Sequence, residues 1–96
     1  MKKPTERIYE CEVKKQFLVE TKRVWRWVQV PVSKVYDAAP EHVRCAYCHG
    51  AVKVYKRRVD DGPQDHVEHK SRSDSEGCQA GSYFQGTHRR SATPIR

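Results

Sequence analysis

The stretch R-C-A-Y-C-H-G, from Arg44 to Gly50, read together with D-H-V-E-H at Asp65 to His69 and E-G-C at Glu76 to Cys78, decides how this chain folds. Cys45 and Cys48 stand two residues apart just ahead of a glycine. That spacing lets two thiolates and their backbone amides wrap one side of a tetrahedral metal ion. The other half of the shell has to come from His66, His69 and Cys78: seventeen residues separate Cys48 from His66, twenty separate it from His69, and eight lie between His69 and Cys78. Four ligands fill a tetrahedron and five candidates are present. Cys45, Cys48, His69 and Cys78 rank first, with His66 as the substitute for His69 or Cys78. Thiolates combined with imidazole select zinc over harder cations, and a closed four-ligand shell leaves no position for a substrate, so such a zinc is structural. If His66 is not a ligand it is a supporting or surface histidine, and Asp65 or Glu68 can orient a ligating imidazole by accepting its second N–H. Coincidental closeness of two thiols and two histidines is the competing reading.

Working outward, length and composition require a staple of this kind. A chain of 96 residues with 36% hydrophobic residues and a mean hydropathy of −0.94 is at most one domain and cannot build a large apolar core. The four cysteines supply the staple either as disulfides or as metal ligands, and the compartment decides which. The opening Met1-Lys2-Lys3-Pro4-Thr5-Glu6-Arg7 has the basic start of a secretory signal without an apolar run behind it, and no segment approaches membrane-spanning length. The expected location is therefore the cytoplasm, with no membrane partner, where thiols stay reduced and a C-x2-C pair is metal-binding rather than bridged. Cys11 lies outside the cluster and reads as a small, half-buried strand residue.

Charge is unevenly distributed. Residues 1–58 hold fourteen Lys and Arg against six acids, residues 59–79 two against six, and residues 80–96 three Arg with no acid, within a net charge of +7. The acidic block coincides with the distal half of the proposed metal site. The basic surface thus belongs to the N-terminal half, to the strand after the cysteine pair and to the tail. Arg44 precedes the first metal cysteine, and Lys53, Lys56, Arg57 and Arg58 follow Gly50 closely. Nucleic acid is the natural partner of such a surface, since basic patches bind polyanions through counterion release. A basic domain without a polyanionic partner is the alternative.

Ile8 to Val13 alternates, with Tyr9, Cys11 and Val13 on one face and Glu10 and Glu12 on the other, which predicts a half-buried strand. Lys14-Lys15-Gln16 is expected to turn the chain before a second apolar run at Phe17. Val24 to Val32 alternates again, with Trp25 and Trp27 on one face, and Pro31 ends or edges the strand. A short helix is expected between Ser33 and Ala39, capped by Ser33, with Val35 and Tyr36 inward and Pro40 closing it. Val43 to Tyr47 leads into the cysteine knuckle, Gly50 turns the chain, and Ala51 to Val59 leaves as a strand, so the knuckle sits at a hairpin tip. Asp60-Asp61-Gly62-Pro63 is a turn. Gln64 to His69 is either a helical turn or an extended return strand. Ser71 to Gly77 reads as a polar loop that brings Cys78 back. The expected architecture is a small β-rich zinc-stapled domain with a short α element, N-terminal strands preceding a zinc-knuckle hairpin. Residues 1–80 form the single zinc-binding domain and residues 81–96 a basic, disordered tail.

Trp25 and Trp27, with Lys22, Arg23 and Arg26 alongside, suggest a platform for stacking unpaired bases. In a chain this poor in large apolar residues, however, the first expectation is that they are its main core anchors. Tyr83 and Phe84, just after Cys78, are expected to pack over the metal site.

The order C-A-Y-C-H-G, basic strand, D-H-V-E-H and closing cysteine resembles small uncharacterised bacterial zinc-binding proteins whose core reads Cys-x-x-Cys-His-Gly, His-Phe-Glu-His, Gly-Cys. That likeness covers about Trp25 to Phe84. Cys45 to His69 is also similar to the N-terminal zinc module of competence-protein CoiA-like nucleases. Val67 stands where both patterns carry Phe, a change that affects packing more than ligation. The resemblance implies a zinc-binding accessory module associated with DNA processing, which puts DNA ahead of RNA. It carries no cleavage activity, because the nuclease domain of the CoiA-like proteins has no counterpart here. Two other classes stay open. One is a His-metal-finger (HNH-like) nuclease with His66 as base and His88 as distal ligand, although the chain has no Asn for that motif's centre. The other is a protein-interaction module whose basic surface meets an acidic protein partner.

Overall fold

The computed structural model describes residues 7–35, 39–57 and 64–96. Two ten-residue strands, β1 (Glu10–Val19) and β2 (Lys22–Pro31), form an antiparallel hairpin in which Glu10 pairs with Pro31 and Val19 with Lys22. The short β3 (Val43–Arg44) adds to the other edge of β1, opposite Val13 and Glu12, giving the sheet order β2-β1-β3. A second, two-stranded sheet pairs β4 (Val52–Tyr55) with β5 (His66–His69). The helix α1 (Arg72–Gly77) follows. The β-rich class with one short helix stands as expected from the sequence.

The first hairpin departs from the expected pattern at its turn. Lys14-Lys15-Gln16 does not bend the chain; β1 runs through it, and the turn falls at Glu20 and Thr21, both with positive φ (49° and 71°). Two left-handed residues in a two-residue loop match the right-handed twist of the strands on either side. The alternation fades after Val13 because the outer half of the hairpin is solvated on both faces. From Lys15 to Val19 every residue is exposed. Tyr9, expected on the inner face with Cys11 and Val13, is also exposed, at 42%.

Within the described part of the expected Ser33–Ala39 helix, Val32–Lys34 forms a 3₁₀ turn, preceded by Pro31 and without a side-chain cap, and Val35 is already extended. Tyr36 lies outside the described residues, as do Arg58 and the Asp60–Pro63 turn. The Gln64–His69 alternative resolves as a strand. Ser71–Gly77, expected as a loop, contains α1: the Ser71 hydroxyl accepts the Asp74 N–H at its N-terminus, a cap that offsets one unpaired helix donor.

The core is made of small side chains. Ile8, Val13, Val32, Val35, Val43, Val52 and Val67 pack with Cys11, Cys45, Cys48 and Cys78, and no Leu, Phe, Trp or Met is among the buried described residues. Neither tryptophan anchors it: Trp25 is 50% exposed and Trp27 half-buried. Ile8 exchanges backbone hydrogen bonds with Val67, and Val32 donates to Tyr9 O, so the N-terminal hairpin is tied to β5.

Residues 81–96 form no strand or helix, yet they lie against the cysteine knuckle where a disordered tail was expected. Ser91 N–H donates to Cys48 O and Ile95 N–H to His49 O, both at 2.8 Å, and Arg89 N–H donates to Gly77 O at 2.7 Å. No helix among the described residues is long and apolar enough to cross a membrane.

Candidate metal centre

The knuckle is built by its own backbone. Arg44 and Ala51 bridge its base, Cys45 N–H donates to Gly50 O, and His49 N–H returns to Cys45 O, each of the two bonds 3.0 Å long. Tyr47 N–H then points at Cys45 Sγ and Gly50 N–H at Cys48 Sγ, both at 3.4 Å. These amides two residues downstream stabilise negative charge on the sulfurs. Cys78, reached through α1, repeats the device, with Ala80 N–H at 3.4 Å from its Sγ. The left-handed residue of the knuckle is His49 (φ 65°), not the glycine after it. Gly50 is required for another reason: a Cβ there would lie 2.4 Å from the Asp74 carboxylate and 3.2 Å from Ser91 Cβ. Helix, knuckle and C-terminal segment therefore meet at Gly50.

The fourth group comes from β5. His69 Nε2 lies 3.4 Å from Cys48 Sγ, and Cys45 Sγ lies 3.7 Å from Cys78 Sγ. The donor atoms of Cys45, Cys48, His69 and Cys78 all fall within 4.8 Å of one another. A tetrahedral ion with bonds of about 2.3 Å to sulfur and about 2.0 Å to nitrogen sets neighbouring donors about 3.6–3.8 Å apart, so the cluster is positioned to hold one. The three cysteines are fully buried and His69 is half-buried. Their crowding divides the thiols. Hydrogen bonds from Cys48 and Cys78 hold the Cys45 thiol far below its ordinary range against the opposing effect of burial, while the same contacts drive Cys48 far above it. Cys11 is not in the cluster. Burial, reinforced by the nearby charge of Cys45, pushes its thiol up to about 11, which keeps it protonated and inert.

His66 stands apart from the four. It is buried and stacks on Tyr55 with ring centroids 5.1 Å apart; Nδ1 faces Gln64 O at 2.8 Å and Nε2 faces Glu68 Oε2 at 3.0 Å. Asp65, expected to orient a ligating imidazole, instead accepts the Arg57 N–H, which lowers its carboxyl below the usual range. His88 bridges the two halves of the cluster: Nδ1 accepts from Gln79 N–H at 3.1 Å, so Nε2 carries the proton toward Tyr47 O at 3.2 Å. Nothing in the sequence pointed to this strap, because its anchors are backbone groups.

The basic residues do not gather on one patch. Arg44 donates to Glu12 (2.6 Å) and to Ile95 O (2.9 Å), and its guanidinium sits 4.0 Å from the Trp27 ring centre. Lys56 reaches Val32 O at 3.1 Å and pairs with Asp65 at 3.4 Å. Lys53 is exposed, its ammonium 5.2 Å from the Tyr55 ring centre, and Arg57 is exposed as well. Trp25, Arg26 and Trp27 lie on the separate β1–β2 hairpin, where alternation puts Arg26 on the face opposite the tryptophans. Tyr83 meets Arg72, whose guanidinium lies 4.4 Å from its ring centre, and Phe84 is 36% exposed.

Among known proteins, an uncharacterised family has a model that matches residues 2–96. No curated protein and no solved structure matches the chain.

Proposed function

The chain belongs to the uncharacterised family whose model it matches over residues 2–96, and from that footing we propose that it is a zinc-stapled accessory module that binds nucleic acid through its basic surface. The observation that carries the reading is the closed, buried cluster of three thiols and one imidazole, each thiol paired with a backbone amide. Soft donors select zinc, and four protein ligands leave it no open coordination position, so its role is to hold the fold. Cys45, Cys48, His69 and Cys78 would be its ligands. The net charge of +7 and the exposed Lys53 and Arg57 supply attraction for phosphates. The local likeness to the zinc module of CoiA-like nucleases favours DNA.

A nuclease fits less well. The base it would use, His66, has both ring nitrogens against acceptors, and His88, its distal ligand in that scheme, bonds to backbone groups. Titration of labelled oligonucleotides at several salt concentrations tests the proposal. Binding should weaken steeply with salt, and Lys53→Gln or Arg57→Gln should each lower the logarithmic slope by about one. Absence of binding at about 50 mM salt would contradict it and leave an acidic protein as the partner of the basic surface.

A further inference from the structure

Resting on the nucleic-acid reading above, we infer that the tryptophan face of the β1–β2 hairpin is a binding site for single-stranded nucleic acid. Four observations converge on it.

The hairpin outgrows what the fold needs. Within β1 only Cys11 and Val13 are buried, and the strand continues six residues beyond Val13 to Val19. The molecule reaches 55 Å in its longest dimension and only 16 Å in its shortest. The projecting half contributes nothing to the core, yet it keeps Trp25 50% exposed and Leu18 73% exposed, surface that a purely structural hairpin has no reason to display.

The register places the aromatics together. Trp25 and Trp27 pair across the hairpin with Gln16 and Lys14, so all four lie on one face, and Arg23, two residues before Trp25, shares it. That face is turned away from Cys11, Val13 and Val43, which sit at the intervening positions. Residues two apart on a strand are separated by about 7 Å, so Trp25 is the ring open to a stacked base while Arg44 lies over its neighbour Trp27. His42 extends the row, its ring 5.2 Å from Trp25.

Charge complements the rings. On the tryptophan face the outer half of the hairpin carries Lys14 and Arg23 and no acid, and Arg44 of β3 joins them, while Glu10 and Glu12 lie at the inner end, Glu12 held by Arg44. Lys14 and Arg44 already lie over Trp27, 5.9 and 4.0 Å from its centre. Aromatic faces edged by cations take a stacked base and its phosphate together.

The shape favours unpaired bases. Ring faces stack only on bases freed from a duplex. The described helix, Arg72–Gly77, has six residues and is too short to read a groove.

The test follows tryptophan fluorescence of the intact zinc-loaded protein on titration with a dT oligomer, a duplex of equal length, and vesicles containing an anionic phospholipid. The expected result is quenching by the dT oligomer with affinity at least tenfold above that for the duplex. Trp25→Ala should weaken single-strand binding by about tenfold or more while zinc content and circular dichroism stay unchanged, the size expected for loss of one stacked base. Trp25→Phe, which keeps a ring, should retain most of the affinity. Equal affinity for duplex, insensitive to Trp25→Ala, overturns this inference and leaves the nucleic-acid proposal standing. Failure to bind either nucleic acid overturns both. Quenching by vesicles but not by dT assigns the face to lipid and overturns the inference.

Discussion

At the scale of single residues, the choice between His66 and His69 turns on backbone periodicity. Three residues apart, they would share a face of a helix, and either could then reach the cysteines; on a strand they point to opposite sides. The sequence between Gln64 and His69 is too short to fix which period applies, so spacing exposes five candidate ligands without removing one. The strand pairing of Val52 with His69 and Tyr55 with His66 puts His66 on the face of β5 opposite His69, and only His69 lies with the three cysteines. His69→Ala is therefore expected to abolish stoichiometric zinc retention, and His66→Ala to retain one zinc per chain while losing about 1–3 kcal/mol of stability, because Glu68 and Tyr55 lose their partner. Zinc content and thermal melting of the two variants check this; equal loss of zinc from both would mean that His66 is a ligand. Gly50 teaches a similar lesson. The pattern C-H-G points to a glycine turn, but the left-handed residue is His49, and the glycine is dictated by the Asp74 carboxylate, a neighbour twenty-four positions away. Long-range crowding of that kind leaves no local trace.

At the scale of elements, alternation is legible wherever one face is buried and fails where both are wet. Cys11 and Val13 were readable as a strand, whereas Lys14 to Gln16 imitate a polar turn because nothing covers them. The true turn, Glu20-Thr21, has none of the usual signals, since neither residue is Gly, Asn or Asp. A β-branched threonine at φ 71° is unfavourable. Replacing Glu20-Thr21 by Asn-Gly should therefore stabilise the protein by about 0.5–1 kcal/mol, read as a higher Tm with unchanged zinc content. A lower Tm would show that the turn residues make contacts worth more than the relieved strain. In contrast, the α1 signal was present: Ser71 followed by Asp74 is a capping pair, obscured by a composition typical of loops. The C-terminal segment had no such signal, as its anchorage runs through the N–H groups of Arg89, Ser91 and Ile95.

At the scale of the whole molecule, the proposed zinc would decide stability. Among the described residues the non-cysteine core is one isoleucine and six valines, and the larger apolar side chains stay at least partly exposed. Domains of this size are marginal even with larger cores. Structural zinc sites of this ligand type contribute about 10–16 kcal/mol of apparent binding free energy, as much as the entire net stability of an ordinary domain, about 5–15 kcal/mol. The knuckle, β5 and α1 also converge on the cluster, and β5 in turn holds Ile8 and the N-terminal hairpin. Removing the ion should therefore loosen the β4–β5 sheet and α1 together with the attachment of the hairpin, rather than a single loop. The central claim is tested most directly by elemental analysis of protein purified without added metal or chelator, followed by circular dichroism under reducing conditions before and after treatment with a strong chelator. One zinc per chain and cooperative loss of structure on its removal, reversed by adding zinc, is the expected result; a protein that contains no zinc and stays folded when reduced would overturn the zinc-stapled reading.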